Sequence, residues 1–430
     1  MRLPLALLLL HSVSAAPEVA VEREQPTAAP GKVEARFDVT QMVTDDTVTA
    51  QHLIYTDLRT TVDASVGDAH RVALHGDVFG RISANDTGPS RYDVTRLYLE
   101  YGDPKSWTVA AGRIGIESVN QTLVDGGRFQ LALGEGLQVE AFGGLMPHPI
   151  LRTVNTDFMN FGAGYQGRGK VINHSGGASV QLYQGAVDRA FITEGVYLRI
   201  AQSLSVFGRA VLELAPREGP VDVSQAYLTV RYRPVALLDL SVFGSHIHAL
   251  LPNLWWQDWI EQERARRGFT LDGPLPVGSR RSTARAVATV HLGDFSPYVS
   301  GRYDRRHEDD KNGYEGRVGL KYSRRGLGYL DLYGAHRQSF DAQHQLAGLQ
   351  LGWTITEGVN LDAGGGALRV TPPGGEPEWL FDANATGWVD LGLISPSLRR
   401  AFVFGMYQAF IEPDAVFHIV TARLGYRLSL

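Results

Sequence analysis

Cysteine is absent from the 430 residues. Disulfide staples, thiol nucleophiles, thiolate metal ligands and lipid attachment at an amino-terminal cysteine are all excluded with it. Long apolar runs are missing too. Beyond the amino-terminal leader, no uninterrupted stretch approaches the roughly 18–20 residues that a spanning helix needs. Lysine is scarce: Lys32, Lys105, Lys170, Lys311 and Lys321 are the only ones among 41 basic residues. The arginine bias fits a GC-rich genome; it also fits the wall of a water-filled bore, where the planar fork pairs with facing carboxylates. A formal net charge of -5 removes the basic footprint of a nucleic-acid binder.

Enzyme motifs are equally hard to find. There is no HExxH, no GxSxG and no Ser-His-acid grouping, so neither a catalytic site nor a cofactor is expected. Gly164 to Lys170 nearly writes a phosphate loop, but Val171 stands where Ser or Thr must hold magnesium, and the stretch reads as a Gly-rich bend. Glu308 to Gly313 faintly suggests a calcium loop. Position twelve counted from Glu308 is Gly319 rather than a bidentate Glu, which leaves a hairpin turning at Asn312-Gly313. His246 and His248 share one strand face without a third ligand and read as a surface pair at a loop base, not a metal site.

What the chain does contain is alternation. Arg2, the short apolar core from Pro4 to Leu10 and the small residues Val13-Ser14-Ala15 read as a signal peptide over residues 1–16. Residues 17–32 are polar, Pro-rich and aperiodic, and are expected to be a disordered lead-in. From Val33 to the end, polar and apolar positions alternate in about 22 segments of ~10–12 residues, the length of a tilted membrane-spanning strand. Leu97, Leu99 and Tyr101 oppose Arg96, Tyr98 and Glu100; Ala284, Ala286 and Ala288 oppose Arg285 and Thr289. Short links (67–70, 103–106, 135–136, 233–236, 293–295, 324–326, 356–358) mostly alternate with longer ones (84–90, 117–126, 146–157, 249–278, 307–313, 370–378). Arg168–Gly176 reads as a longer link on the short side. A single domain over 33–430 is expected: an all-β, transmembrane, antiparallel up-and-down β-barrel with an even strand number, roughly 18–22. A soluble β-sandwich also alternates. The number of hairpins and the aromatic residues near strand ends (Tyr101, Tyr232, Tyr303, Trp353, Tyr426) argue against it.

The last eleven residues place Val420, Ala422, Leu424, Tyr426, Leu428 and Leu430 on one face, with polar residues or Gly between them. This resembles the terminal strand of bacterial outer-membrane β-barrels, which the barrel assembly machinery reads; Leu430 stands where that family more often has Phe. The segment Arg91 to Tyr101, then Trp107 to Arg113 with its Gly112-Arg113 ending, then Val124-Asp125-Gly126, resembles a recurring stretch of porin-type barrels. The resemblance implies an integral outer-membrane channel of a Gram-negative bacterium, in contact with lipid, passing hydrophilic solutes without a cofactor. A looser resemblance to alginate-export barrels implies the alternative, a conduit for a secreted polysaccharide working with periplasmic partners. No plug-sized segment precedes the first strand, so a TonB-driven receptor is not expected.

By strand parity Arg96, Glu100, Arg128, Arg209, Arg231, Arg285, Arg302, Arg317, Arg337 and Arg423 face the lumen, together with Asp77, Glu140, Asp239, Asp331, Asp362 and Asp382. Such charges set which solutes pass, or hold the wall together by pairing, or do both. Within Asn253 to Gly268, Trp255, Trp256 and Trp259 lie on the one helix-like stretch. That loop either rests on the rim or turns inward to narrow the pore or stack sugar rings.

Overall fold

The computed structural model describes residues 33–46, 51–67, 70–83, 91–119, 122–148, 153–214, 221–248, 280–339, 342–372, 374–412 and 415–429. They form 22 strands, β1 (Val33–Asp46) to β22 (Ala415–Ser429), each antiparallel to the next. Closure comes from β1 and β22, which pair from Arg36–Ser429 to Asp46–Ile419. Every strand has two neighbours, so the sheet closes on itself without a free edge strand. The terminal strand, which pattern alone marked as amphipathic, is held on both sides by β1 and β21 (Ala401–Glu412) from Ile419 to Tyr426.

The two faces differ as the alternation requires. In β4 (Arg91–Asp103), Leu97 and Leu99 are 48% and 57% exposed, whereas Tyr98 and Glu100 are each 9%. The exposed apolar side chains line the convex surface, where a soluble protein would lose free energy and a membrane protein meets lipid. The concave surface is the face of the buried polar side chains, and some of them touch across an intervening strand. Tyr298 of β15 (Phe295–Arg306) donates to Asp331 of β17 (Gly328–Gln338) at 3.1 Å. Tyr329 of β17 donates to Asp362 of β19 (Val359–Thr371), also at 3.1 Å.

Both chain termini of the barrel lie at one rim, because the strand number is even. Links at that rim are tight, and those at the far rim are mostly longer. Four details depart from the pattern read above. Arg168–Gly176 is no long link: Arg168 ends β8 (Phe158–Arg168) and Ile172 already begins β9 (Ile172–Tyr183). At the far rim Gln184-Gly185 closes β9 onto β10 (Ala186–Ala201), both at positive φ (51° and 81°), the conformation a two-residue hairpin demands. At the terminal rim the link between β20 (Glu378–Asp390) and β21 instead carries two short 3-10 turns, Leu391–Leu393 and Pro396–Leu398. Asn312 and Gly313 belong to β16 (Lys311–Arg324); the turn before it uses Asp310, at φ 53°. Residues 1–32, the loop 249–278 with Trp255, Trp256 and Trp259, and Leu430 lie outside the described residues.

Candidate functional site

The wall is not uniform between β4 and β7 (Leu137–Leu145). β4 pairs with β5 (Trp107–Ile116) only from Asp103–Trp107 to Leu97–Arg113. β6 (Thr122–Ala132) pairs with β7 only from Ala132–Gln138 to Asp125–Leu145. Beyond those positions Ile114–Ile116 and Thr122–Val124 pair with each other alone. The hairpin tip has left the wall and lies inside the barrel as a tongue. Its departure point is Gly112, at φ 132°, where a Cβ would sit 2.3 Å from the Leu97 carbonyl oxygen; only glycine fits.

Packing shows how far the tongue reaches. Ile114, Ile116, Val119 and Val124 are fully buried, in one cluster with Phe142 of β7, Phe191 of β10 and Val211 of β11 (Leu204–Glu213). Each such apolar side chain contributes roughly 1.5–3 kcal/mol by leaving water. Ser118 donates to Glu140, which also accepts from Gln130 at 3.2 Å. The wall beneath is made thin to receive the tongue. A Cβ on Gly164 would lie 2.1 Å from Ser118 Oγ, and one on Gly177 would lie 2.7 Å from Val119 Cγ2. Gly164, the start of the near phosphate loop, is thus a wall residue giving way to Ser118. The tongue's base is tied by Arg113, whose Nε and Nη2 donate to the two Asp125 oxygens at 2.6 Å each, while Nη1 donates to the Val94 carbonyl at 3.1 Å.

Around the tongue the inner charges are mostly paired. Glu100 accepts from Arg71 at 3.2 Å and from Arg128 at 3.0 Å. Arg96 stands opposite Asp77 and 3.6 Å from Asp63, and Asp77 itself takes both arms of Arg59. Arg423 reaches across the closing seam to Thr40 at 3.2 Å. Arg209 lies opposite Gly195 and Tyr227, and Arg231 opposite Ser205 and Ser241. Of the other acidic positions, Asp239 faces Thr289 and Asp382 faces Gly366.

On the wall from β14 (Arg280–Val290) to β18 (Gln343–Thr356) the balance tips. Arg285 sits directly opposite Arg302, Arg302 opposite Glu315, Glu315 opposite Arg337, and Arg337 opposite His344. Arg302 and Arg281 share Asp304, at 2.8 and 3.1 Å. Arg317 lies 3.4 Å from Glu315 and 4.7 Å over the Tyr333 ring. Arg281, Arg285, Arg302, Arg317 and Arg337 therefore gather on Asp304 and Glu315, a local excess of positive charge. His246 and His248 separate rather than meet on one ligand: the first bonds Ser282, the second Asp222. Among the described residues no group of three or more His, Asp or Glu is placed to hold a metal ion.

Parity reasoning passed over Arg113, Ser118, Val119 and Asp125. A signal was present, because the apolar phase of β5 slips from Trp107, Val109 and Ala111 to Ile114 and Ile116, with Gly112-Arg113 at the slip.

A closed antiparallel barrel, apolar outside and polar inside, with a hairpin folded into the bore, is the architecture of outer-membrane porins. One solved structure supports the fold, and two others align over the same span. OpdK of Pseudomonas aeruginosa, an outer-membrane protein, aligns over 94% of this chain and 100% of its own, with 10% identity and a TM-score of 0.50. OccK2 (OpdF) of the same organism aligns over 94% and 99%, with 10% identity and a TM-score of 0.49. OccAB4 of Acinetobacter baumannii aligns over 94% and 100%, with 9% identity and a TM-score of 0.47. No protein-family model matches the sequence, and no curated protein does.

Proposed function

We propose that this protein is a non-enzymatic channel of the Gram-negative outer membrane, passing small hydrophilic solutes by diffusion. The observation that carries this reading is the tongue. A closed barrel with a folded hairpin anchored inside it has a bore narrowed by protein, which sieves solutes by size and by local field. The arginine cluster of β14–β18 favours anions among those solutes, and Arg96, Glu100, Arg128, Arg209, Arg231 and Arg423 line the remaining wall. The same narrowing argues against a conduit for a bulky polysaccharide. Residues 1–16 act as the export signal and 17–32 as a periplasmic lead-in in this reading, and the last strand is what the assembly machinery reads.

The test is conductance. Protein extracted from outer membranes, shown folded by heat-modifiable gel migration, is expected to produce discrete anion-preferring steps in planar bilayers. Silent bilayers with correctly folded protein would reject the channel.

A further inference from the structure

The tongue also fixes the orientation of the wall behind it. Ser118 and Val119 press on Gly164 and Gly177, and Phe191 joins the tongue's cluster, so these positions face inward. An odd number of residues away along each strand (one, one and three), Tyr165, Gly176 and Glu194 therefore face outward. Tyr165 donates to Glu194 at 2.5 Å, across Gly176, whose missing side chain leaves the room: a Cβ there would lie 2.3 Å from the Glu194 carboxylate. The His174 ring lies 5.3 Å from that of Tyr165 on the same face. Glu194 stands mid-strand in β10, with outward Ile192 and Val196 on either side and outward Val180 and Phe161 on nearby strands. A carboxylate in the lipid-facing belt is costly, and such residues mark contact with something other than acyl chains. Around it the outer wall is nearly bare: Ala163, Ala178, Gly208 and Ala210 carry little side chain.

We propose that this face is the contact between two copies of the chain within the membrane. The patch is self-complementary. It presents a carboxylate and an imidazole on one face with Tyr165 between them, so a two-fold axis can set His174 of one copy against Glu194 of the other, an isologous pairing. The small residues let the two walls approach, as small residues do between membrane helices. The inference is independent of conductance, since a barrel can pair whether or not its bore is open.

The absence of native cysteine makes a clean experiment available. Ala178→Cys places one thiol beside the patch; Ala286→Cys places one on the outward face of β14 as a control. In intact outer membranes a short bis-maleimide is expected to give a dimer band at least tenfold stronger for Ala178→Cys. Adding Glu194→Leu should cut that band at least threefold while heat-modifiable migration stays unchanged. Equal bands at both positions, no band at Ala178→Cys in folded protein, or indifference to Glu194→Leu would each overturn the proposal. Should Glu194→Leu not fold, the mass of the unaltered protein in mild detergent decides: a dimer supports the contact and a monomer refutes it.

Discussion

Arg113 and Asp125 meet across the base of the inner tongue in a two-pronged contact, 2.6 Å at each prong, with side chains only 9% and 16% exposed. The pair sits where β5 and β6 leave the wall, so it holds the hinge between barrel and bore.

Removing one partner of a buried pair strands the other charge, at a cost of about 3–5 kcal/mol. Arg113→Met is expected to loosen the tongue, raising single-channel conductance and its noise. The double variant Arg113→Met/Asp125→Leu should recover part of the quiet, narrow state. Unchanged conductance in Arg113→Met would show that the apolar cluster holds the tongue unaided.

Gly164 is expected to be the most sensitive position in β8. An added methyl would overlap Ser118 Oγ, 2.1 Å from the ideal Cβ site, so Gly164→Ala displaces the tongue and widens the bore. Ser118→Gly in the same chain removes the obstacle and should restore the parent conductance. Failure of that rescue would place the cause in the wall itself.

Charge reversal tests the arginine wall. Arg302→Glu with Arg317→Glu turns a local excess of cations into an excess of anions around Asp304 and Glu315. The anion-to-cation permeability ratio, read from the reversal potential under a salt gradient, is expected to fall several-fold. The shift should shrink at high ionic strength, where the screening length drops to about 3 Å at 1 M salt.

Val318, 63% exposed on the outer face of β16, tests the lipid contact. Val318→Arg is expected to cost about 2–4 kcal/mol in a bilayer if the position is near mid-depth. Urea midpoints for folding into vesicles read this directly. An unaffected midpoint would mean that Val318 never touches hydrocarbon.

Most of the wall was legible because its cause is local. Leu97 and Glu100 are assigned to opposite faces by a period of two, and curvature does not change that. The two-residue turn at Gln184-Gly185 went unread because Gln is not a residue that announces positive φ. The tongue was harder for a different reason. Its strands alternate like wall strands apart from the phase slip at Gly112-Arg113, and that slip and the Asp125-Gly126 step mark its base without giving a direction of folding. Contacts with Gly164, Gly177, Phe191 and Val211, distant in sequence, reveal that it has turned inward. The parity list likewise named arginines without showing which are neutralised: Arg128 shares Glu100 with Arg71, while Arg285 faces Arg302.

The ring is sealed by the first strand meeting the last, and Arg423 touches Thr40 across nearly the whole length of the chain. Until β22 arrives, every partial assembly carries two raw flanks of unsatisfied backbone, sticky to any other chain in the same condition. The ring therefore cannot cover its own backbone before β22 is in place.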